Sequence, residues 1–212
     1  MKPIVQYLRS LRHRHMIRNY DLSLEPDIPR IKRLLKPGDK AIDIGACIGL
    51  FTYNMAMAVG EAGSVIACEP LLATFDVLER NMRGLGMDNV ITCHVAMSDS
   101  HRMGKIHVPK GKSHYFATIR SDVGEDVQIA TFDDDMMTLT AAAFIKLDTE
   151  GCEAPILRGA NNFLDQSDAV WLVEVNKAWW EIQETFAKHG YKPMPSDTEN
   201  CFFARKPLER TS

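Results

Sequence analysis

The run "FIKLDTEGCE" brings Lys146, Asp148, Glu150 and Glu153 close together along the chain. A carboxylate held beside a hydroxyl takes its proton as a new bond forms, which contributes roughly 10²–10⁴-fold to a rate. Asp148 and Glu150 are the candidates for such a base. Each also has a quieter role open to it. Asp148 could order the amino group of a bound cofactor, and Glu150 could cap the short helix "APILRG", with Pro155 near its start. Lys146 stands two residues before Asp148, so on a strand both point to the same side of the sheet and an ion pair is expected.

A second chemical run is "AIDIGACIGLFT". Glycines at the end of a strand let the backbone turn sharply and let a ligand approach where a Cβ would block it. A dinucleotide fingerprint needs glycine at positions 45, 47 and 50. The chain has Gly45, Cys47 and Leu50 there, so that pattern fails twice. Asp43, Gly45, Cys47 and Gly49 instead follow the DxGxGxG spacing of S-adenosylmethionine sites, with the middle glycine replaced. Asp43 can also serve as a hydrogen-bond acceptor for the turn's amides. In "SVIACEP" the second apolar run ends in Glu69. An acid at that tip accepts hydrogen bonds from both ribose hydroxyls of an adenosine ligand. Its alternative role is to favour the dipole of the helix that follows, beside Pro70.

Other residue types are less specific. Glu174, at the end of "WLVEV", is a candidate for substrate binding or a plain loop acid. Trp179 and Trp180 could stack on a sugar ring or an acyl chain, or belong to the core. His94 falls inside an apolar run and reads as a core residue, whereas His101, His107 and His114 lie in an irregular stretch where one could act as a base. Asp148, Glu150 and a histidine match no specific metal template, so no metal site is expected. The five cysteines are scattered without CxxC spacing and read as buried free thiols.

Strand-like and helix-like runs alternate around these groups. "KAIDIG", "SVIACEP", "NVITCHVAM", "AAFIKLD", "AVWLVEVN" and "NCFFARK" read as strands. "LFTYNMAMAV", the run bearing Leu71, Phe75, Leu78 and Met82, and "KAWWEIQETFAKHGY" read as helices. This alternation predicts a mostly parallel, doubly wound α/β sheet with helices on both faces. Residues 98–130 are irregular and read as a hairpin, a long loop or a lid. Residues 1–36 read as a basic, helical N-terminal extension ending at Pro37-Gly38, and residues 37–212 as one domain.

A formal net charge of -3 argues against nucleic-acid binding through a broadly basic surface. The arginine- and histidine-rich stretch "RSLRHRHMIR" leaves a local electrostatic arm or a membrane-surface helix open beside its plainer reading as a solvated helix face. The opening residues lack the apolar centre of a signal peptide, and no stretch reaches membrane-spanning length, so a cytoplasmic protein without a membrane span is expected.

With "AIDIGACIGLFT", "VIACEP", "NVITCHVAMSDS" and "FIKLDTEGCEAPILRGA" together, the chain resembles the FkbM-type family of S-adenosylmethionine-dependent methyltransferases, from about Leu35 to Arg205. The resemblance implies a Rossmann-like class I methyltransferase fold with a seven-stranded sheet. It also implies O-methylation of hydroxyls on sugars, glycans or polyketide-like natural products. By position it implies that Asp43, Gly45, Ala46, Cys47 and Gly49 form the first cofactor loop and that Glu69 holds the ribose. It sets Pro70 and Leu71 beneath the adenine, Ala96, Met97 and Ser98 along the adenine edge, and Asp148 and Glu150 toward the methyl group. Cys47 departs from the family, which more often has asparagine there.

The resulting expectation is an enzyme that uses S-adenosylmethionine to methylate a small-molecule or glycan hydroxyl, with Glu174 and Trp179 toward the acceptor. A homodimer through residues 98–130 is possible on this reading, and no nucleic-acid partner is expected. The alternatives are an RNA methyltransferase using the basic N-terminal arm and a non-catalytic S-adenosylmethionine-binding protein.

Overall fold

The run "KAIDI" enters the fold as an interior strand of the main sheet, β1 (Lys40–Ile44), buried along all but its first residue. A strand covered on both faces by helices reads as near-continuous apolar sequence, here broken after the exposed Lys40 only by the buried Asp43. Ile42 and Ile44 face one core, while Ala41 faces the other. The same alternation runs through β8 (Phe144–Leu147), where Ile145 and Leu147 share the first core and Phe144 the second. The computed structural model describes residues 11–108, 118–120, 123–136, 141–175, 178–196 and 198–208.

Between these two strands lie α3 (Leu50–Val59), β2 (Ser64–Cys68), α4 (Leu72–Leu85), β3 (Val90–Cys93), β4 (Ala96–Ser98), β5 (Arg102–His107), β6 (Thr118–Arg120), β7 (Glu125–Thr131) and α5 (Phe132–Met136). After β8 come α6 (Glu153–Arg158), α7 (Asn161–Gln166), β9 (Val170–Glu174), α8 (Trp179–Lys188), β10 (Lys192–Pro195) and β11 (Asn200–Ala204). The main sheet has seven strands in the order β10-β11-β9-β8-β1-β2-β3. All neighbours are parallel except β11, which runs antiparallel to both β9 and β10. The chain winds outward from β1 through β2 to β3, then returns to β8 on the other side. The switch point therefore lies between β1 and β8, where open α/β sheets bind ligands at the carboxyl ends of the strands.

The run "NVITCHVAM" is not one strand. It divides into β3 of the main sheet and β4 of a separate four-stranded sheet, ordered β4-β7-β5-β6. The break falls at His94, whose ring nitrogen lies 3.0 Å from the Pro70 carbonyl and whose ring packs 5.0 Å from that of Phe75. The described part of the irregular stretch forms this second sheet, with β5 antiparallel to both β6 and β7. Its "VPKGKSHYF" stretch, and with it His114, lies largely outside the described residues.

Ahead of β1, residues 11–18 are helical (α1), Leu22–Leu24 form one 3-10 turn, and Asp27–Leu34 form α2. Ile31 and Leu35 join the core under α3. Ile17 is buried against Leu78, Met82 and Leu85 on the apolar face of α4. The basic stretch thus has an anchored face as well as a solvated one. Among the described residues no helix is long and apolar enough to cross a membrane.

Candidate functional site

A cavity of about 310 Å³ opens at the carboxyl ends of β1, β2 and β8. Its floor is the glycine turn, with Gly45, Ala46, Cys47 and Ile48 in the wall. Gly45 has φ of +82°, and its amide and that of Ala46 both donate to the Cys68 carbonyl at 3.0 Å. A Cβ on Gly45 would lie 2.9 Å from the Asp148 carbonyl carbon and closer still to its oxygen, so only glycine allows β1 and β8 to meet here. Cys47 also sits in the left-handed region, at φ 51°. Gly49, at φ +95°, turns away from the cavity, and a Cβ there would lie 2.9 Å from Leu78 on α4. Its requirement is helix packing, not ligand approach.

Glu69 closes the turn from the second strand. One carboxylate oxygen accepts from the Cys47 amide at 2.9 Å and the other from the Leu71 amide at 3.1 Å. Burial pushes its carboxyl up to about 7, against the ionising effect of those two amides. The side chain lines the cavity with Pro70. Leu71 does not line it, because its side chain belongs to the core with Ala96, Ile106, Val127 and Ile129. Ala96 and Met97 line a smaller adjoining cavity of about 40 Å³, which shares Gly45, Pro70, Ile106 and Thr149 with the larger one. Ser98 lines neither of them, being buried against Gly159.

Asp43 lies beneath the turn rather than in it. It is fully buried, accepts from the Thr52 hydroxyl at 2.6 Å, and lies 3.8 Å from the Lys146 ammonium. The expectation that it serves the turn's amides gives way to this arrangement. Strand alternation turns its side chain toward α3, on the face where its register partner Lys146 also points. Burial raises the Asp43 carboxyl above its ordinary value, with Lys146 opposing. Lys146 is 4% exposed, lies 3.0 Å from Asp148, and sits 4.8 Å over the Phe51 ring. Burial works against its charge, yet Asp148 and Asp43 more than offset this and hold the ammonium well above its usual range.

The loop after β8 is held by Glu153, which is fully buried and accepts from the Thr149 amide at 2.7 Å, the Thr149 hydroxyl at 2.8 Å and the Gly151 amide at 3.2 Å. Capping of this loop thus falls to Glu153 and not to Glu150. Glu150 takes a left-handed conformation, φ 56°, and lines the cavity with Asp148. Burial, then Asp148 and Glu153, raise its carboxyl. Glu174, at the neighbouring end of β9, is pushed up to about 7 by burial first and then by Asp148, Glu150 and Glu153. Asp148, Glu150 and Glu174 each bring one oxygen within 4.8 Å of the others. Such a trio could share a proton or hold a divalent cation.

Trp179 packs on Phe203, ring centroids 5.8 Å apart, and lines neither cavity. Trp180 is 79% exposed. His101 faces Asp134 and Asp135 at 3.1 and 3.3 Å, and no histidine among the described residues lines the main cavity. Sequence reasoning missed Met16 and Tyr20, which line it from the N-terminal segment, and Thr52, which bonds Asp43. No motif marked them, because they reach the site only through tertiary packing.

A model of the methyltransferase FkbM domain matches residues 43–193, from β1 to β10, and so takes in the turn, Glu69 and all three clustered acids. The chain belongs to the FkbM methyltransferase family. This is a family of S-adenosylmethionine-dependent methyltransferases, and the solved structures that share the fold are class I enzymes of that kind. One is a methyltransferase FkbM from Methylobacillus flagellatus KT, 15% identical with a TM-score of 0.56, aligned over 87% of this chain and 52% of that one. The chain thus spans about half the length of that FkbM structure. Another is a SAM-dependent O-methyltransferase from Thermotoga maritima, 15% identical with a TM-score of 0.51, over 88% of this chain and 67% of that one. A third is fibrillarin from Aeropyrum pernix with natively bound S-adenosyl-L-methionine, 14% identical with a TM-score of 0.53, over 81% and 68% of the two chains. No curated protein sequence matches the chain.

Proposed function

We propose that this FkbM-family protein transfers a methyl group from S-adenosylmethionine to a hydroxyl of a sugar, glycan or hydroxylated natural product. The observation that carries the reading is the trio Asp148, Glu150 and Glu174, gathered within 4.8 Å where β8 and β9 end beside the glycine turn. The residues around the cavity fit the donor. Each Glu69 oxygen already accepts one amide and retains a second lone pair for a ribose hydroxyl. Gly45, Ala46 and Cys47 offer a wall of main chain along the donor's amino-acid part, with Pro70, Ala96 and Met97 on the adenine side. When bound, S-adenosylmethionine supplies a methyl carbon activated by its sulfonium, which departs as a neutral thioether.

The chain's own task is then to align the acceptor and take its proton. Orientation alone supplies on the order of 7–11 kcal/mol in well-aligned reactions. Asp148, paired with Lys146, is a fixed anion beside the cavity and favours the donor's positive charge. Burial, then Asp148, Glu150 and Glu153, push the Glu174 carboxyl up to about 7, which suits it to receive the hydroxyl proton near neutral pH. Asp148 and Glu150 in the cavity wall, with Glu174 beside them, also disfavour a polyanionic acceptor such as RNA, which supports an uncharged one.

Calorimetric titration with S-adenosylhomocysteine, followed by labelled methyl transfer to a panel of sugars, glycans and hydroxylated small molecules, tests the reading. Binding and O-methylation that Asp148→Asn and Glu150→Gln both reduce are the expected results. Absence of binding, or label found only on nitrogen or carbon, would sink it.

A further inference from the structure

The family match begins at residue 43, yet the site's wall does not. The N-terminal segment is tied down at two points. At the first, Ile17 is 2% exposed among the apolar residues of α4, and Arg14 packs so closely on Gly84 that a Cβ there would lie 2.7 Å from its guanidinium carbon. At the second, Asp27 is 1% exposed and accepts from the Ser196 hydroxyl, from Thr198 at 2.6 Å and from Asn200 at 2.9 Å. Asn200 is the register partner of Glu174, so this second anchor adjoins the acidic cluster. Between the anchors, Met16 and Tyr20 line the main cavity. Met16 lies in α1, and Tyr20 stands two residues past its end, where the chain leaves the helix. Met16 is 37% exposed, an apolar side chain that looks into the cavity and not into the core. Burial and the nearby Asp27 and Asp148 raise the Glu25 carboxyl, which places that residue within electrostatic reach of the same site.

We infer that Met16 and Tyr20 are ligand-binding residues, and that the segment from α1 to Asp27 is a wall of the donor site contributed from outside the matched family domain. This rests on the S-adenosylmethionine reading above. At about 310 Å³ the cavity is at the small end of ligand sites, so a molecule that occupies it touches every wall. Glu69 and the glycine turn hold the donor through polar groups and main chain. Met16 and Tyr20 supply the apolar and aromatic surface opposite, and binding covers the Met16 side chain. The N-terminal helix should therefore be stabilised by ligand even though the family's sequence pattern does not include it.

The test uses the full chain and S-adenosylhomocysteine, with calorimetric affinity and hydrogen exchange read in parallel. Met16→Ala with Tyr20→Ala should weaken binding at least tenfold while leaving the melting temperature of the free protein nearly unchanged. Arg18→Gln, on the exposed side of the same helix, should leave affinity unchanged. Ligand should slow amide exchange in residues 11–20. If the wild type binds, but the double variant binds within twofold of it and exchange in 11–20 is unaltered, the inference is overturned and the functional reading stands. A wild type that does not bind overturns both.

Discussion

Lys146→Met tests the electrostatic arrangement beneath the site, because methionine keeps most of the volume and removes only the charge. Lys146 lies 3.0 Å from Asp148 and 3.8 Å from Asp43. At an effective dielectric of about 20, these separations correspond to roughly 5 and 4 kcal/mol of attraction before desolvation is counted. Desolvation of all three groups cancels much of that sum. What remains after removal of the lysine is a buried Asp43 held by Thr52, through its hydroxyl and its main chain, with no cation to balance the charge. Breaking a buried pair in this way costs about 3–5 kcal/mol. The sign of the pH effect follows. Asp43 already has a raised carboxyl, and loss of the lysine raises it further, so the folded variant binds a proton more tightly than the unfolded chain does. Stability lost in Lys146→Met should therefore be greatest at pH 8 and partly recovered at pH 5, where Asp43 takes up a proton. Urea unfolding at both pH values measures this, with Lys146→Met/Asp43→Asn as the companion that removes the orphaned charge. A Lys146→Met protein within 1 kcal/mol of wild type at pH 8, or one equally destabilised at both pH values with no rescue by Asp43→Asn, would refute the reasoning; those limits rest on the buried-pair magnitudes above, about 3–5 kcal/mol.

Gly45→Ala should cost more than the ~1–2 kcal/mol of a left-handed backbone, because its Cβ also meets the Asp148 main chain at 2.9 Å. A melting temperature close to wild type, with normal S-adenosylhomocysteine binding, would contradict this. Cys47→Asn should raise the melting temperature by about 1–3 °C, since asparagine tolerates the φ of 51° better, and should keep ligand affinity within twofold. Much weaker binding would mean that the thiol itself contributes. Methyl transfer should rise as pH passes through about 7, where Glu174 becomes an acceptor for protons, and Glu174→Gln should flatten that rise. Glu69, raised from 4.5 to about 7, makes stability fall as pH climbs through that window, because the folded state binds the extra proton. Glu69→Gln should remove that slope in a pH series of thermal melts.

The glycine turn, the strand tips and the "KLDTEG" acids were legible because each depends on local rules. Period-two burial put Lys146 and Asp148 on one side, and the alternation of apolar runs implied a mostly parallel sheet, whose switch point between β1 and β8 only the strand order shows. The break at His94 was not legible, because an apolar run does not record which sheet its two halves join. Nor was the division of labour among the acids. Glu150 and Glu153 look alike in sequence, but the left-handed backbone at Glu150 and Gly151 turns Glu153 inward to hold the loop and leaves Glu150 at the cavity.

By itself, then, the sequence determined the fold class, the turn and the identity of the acids at the strand ends, since these follow from spacing within a few residues. Only the tertiary structure decided that Asp43 is a buried partner of Lys146, that Glu174 meets Asp148 and Glu150, and that Met16 and Tyr20 wall the cavity. Those contacts join residues far apart along the chain, and their geometry is set by sheet order and helix packing, quantities that no local pattern encodes.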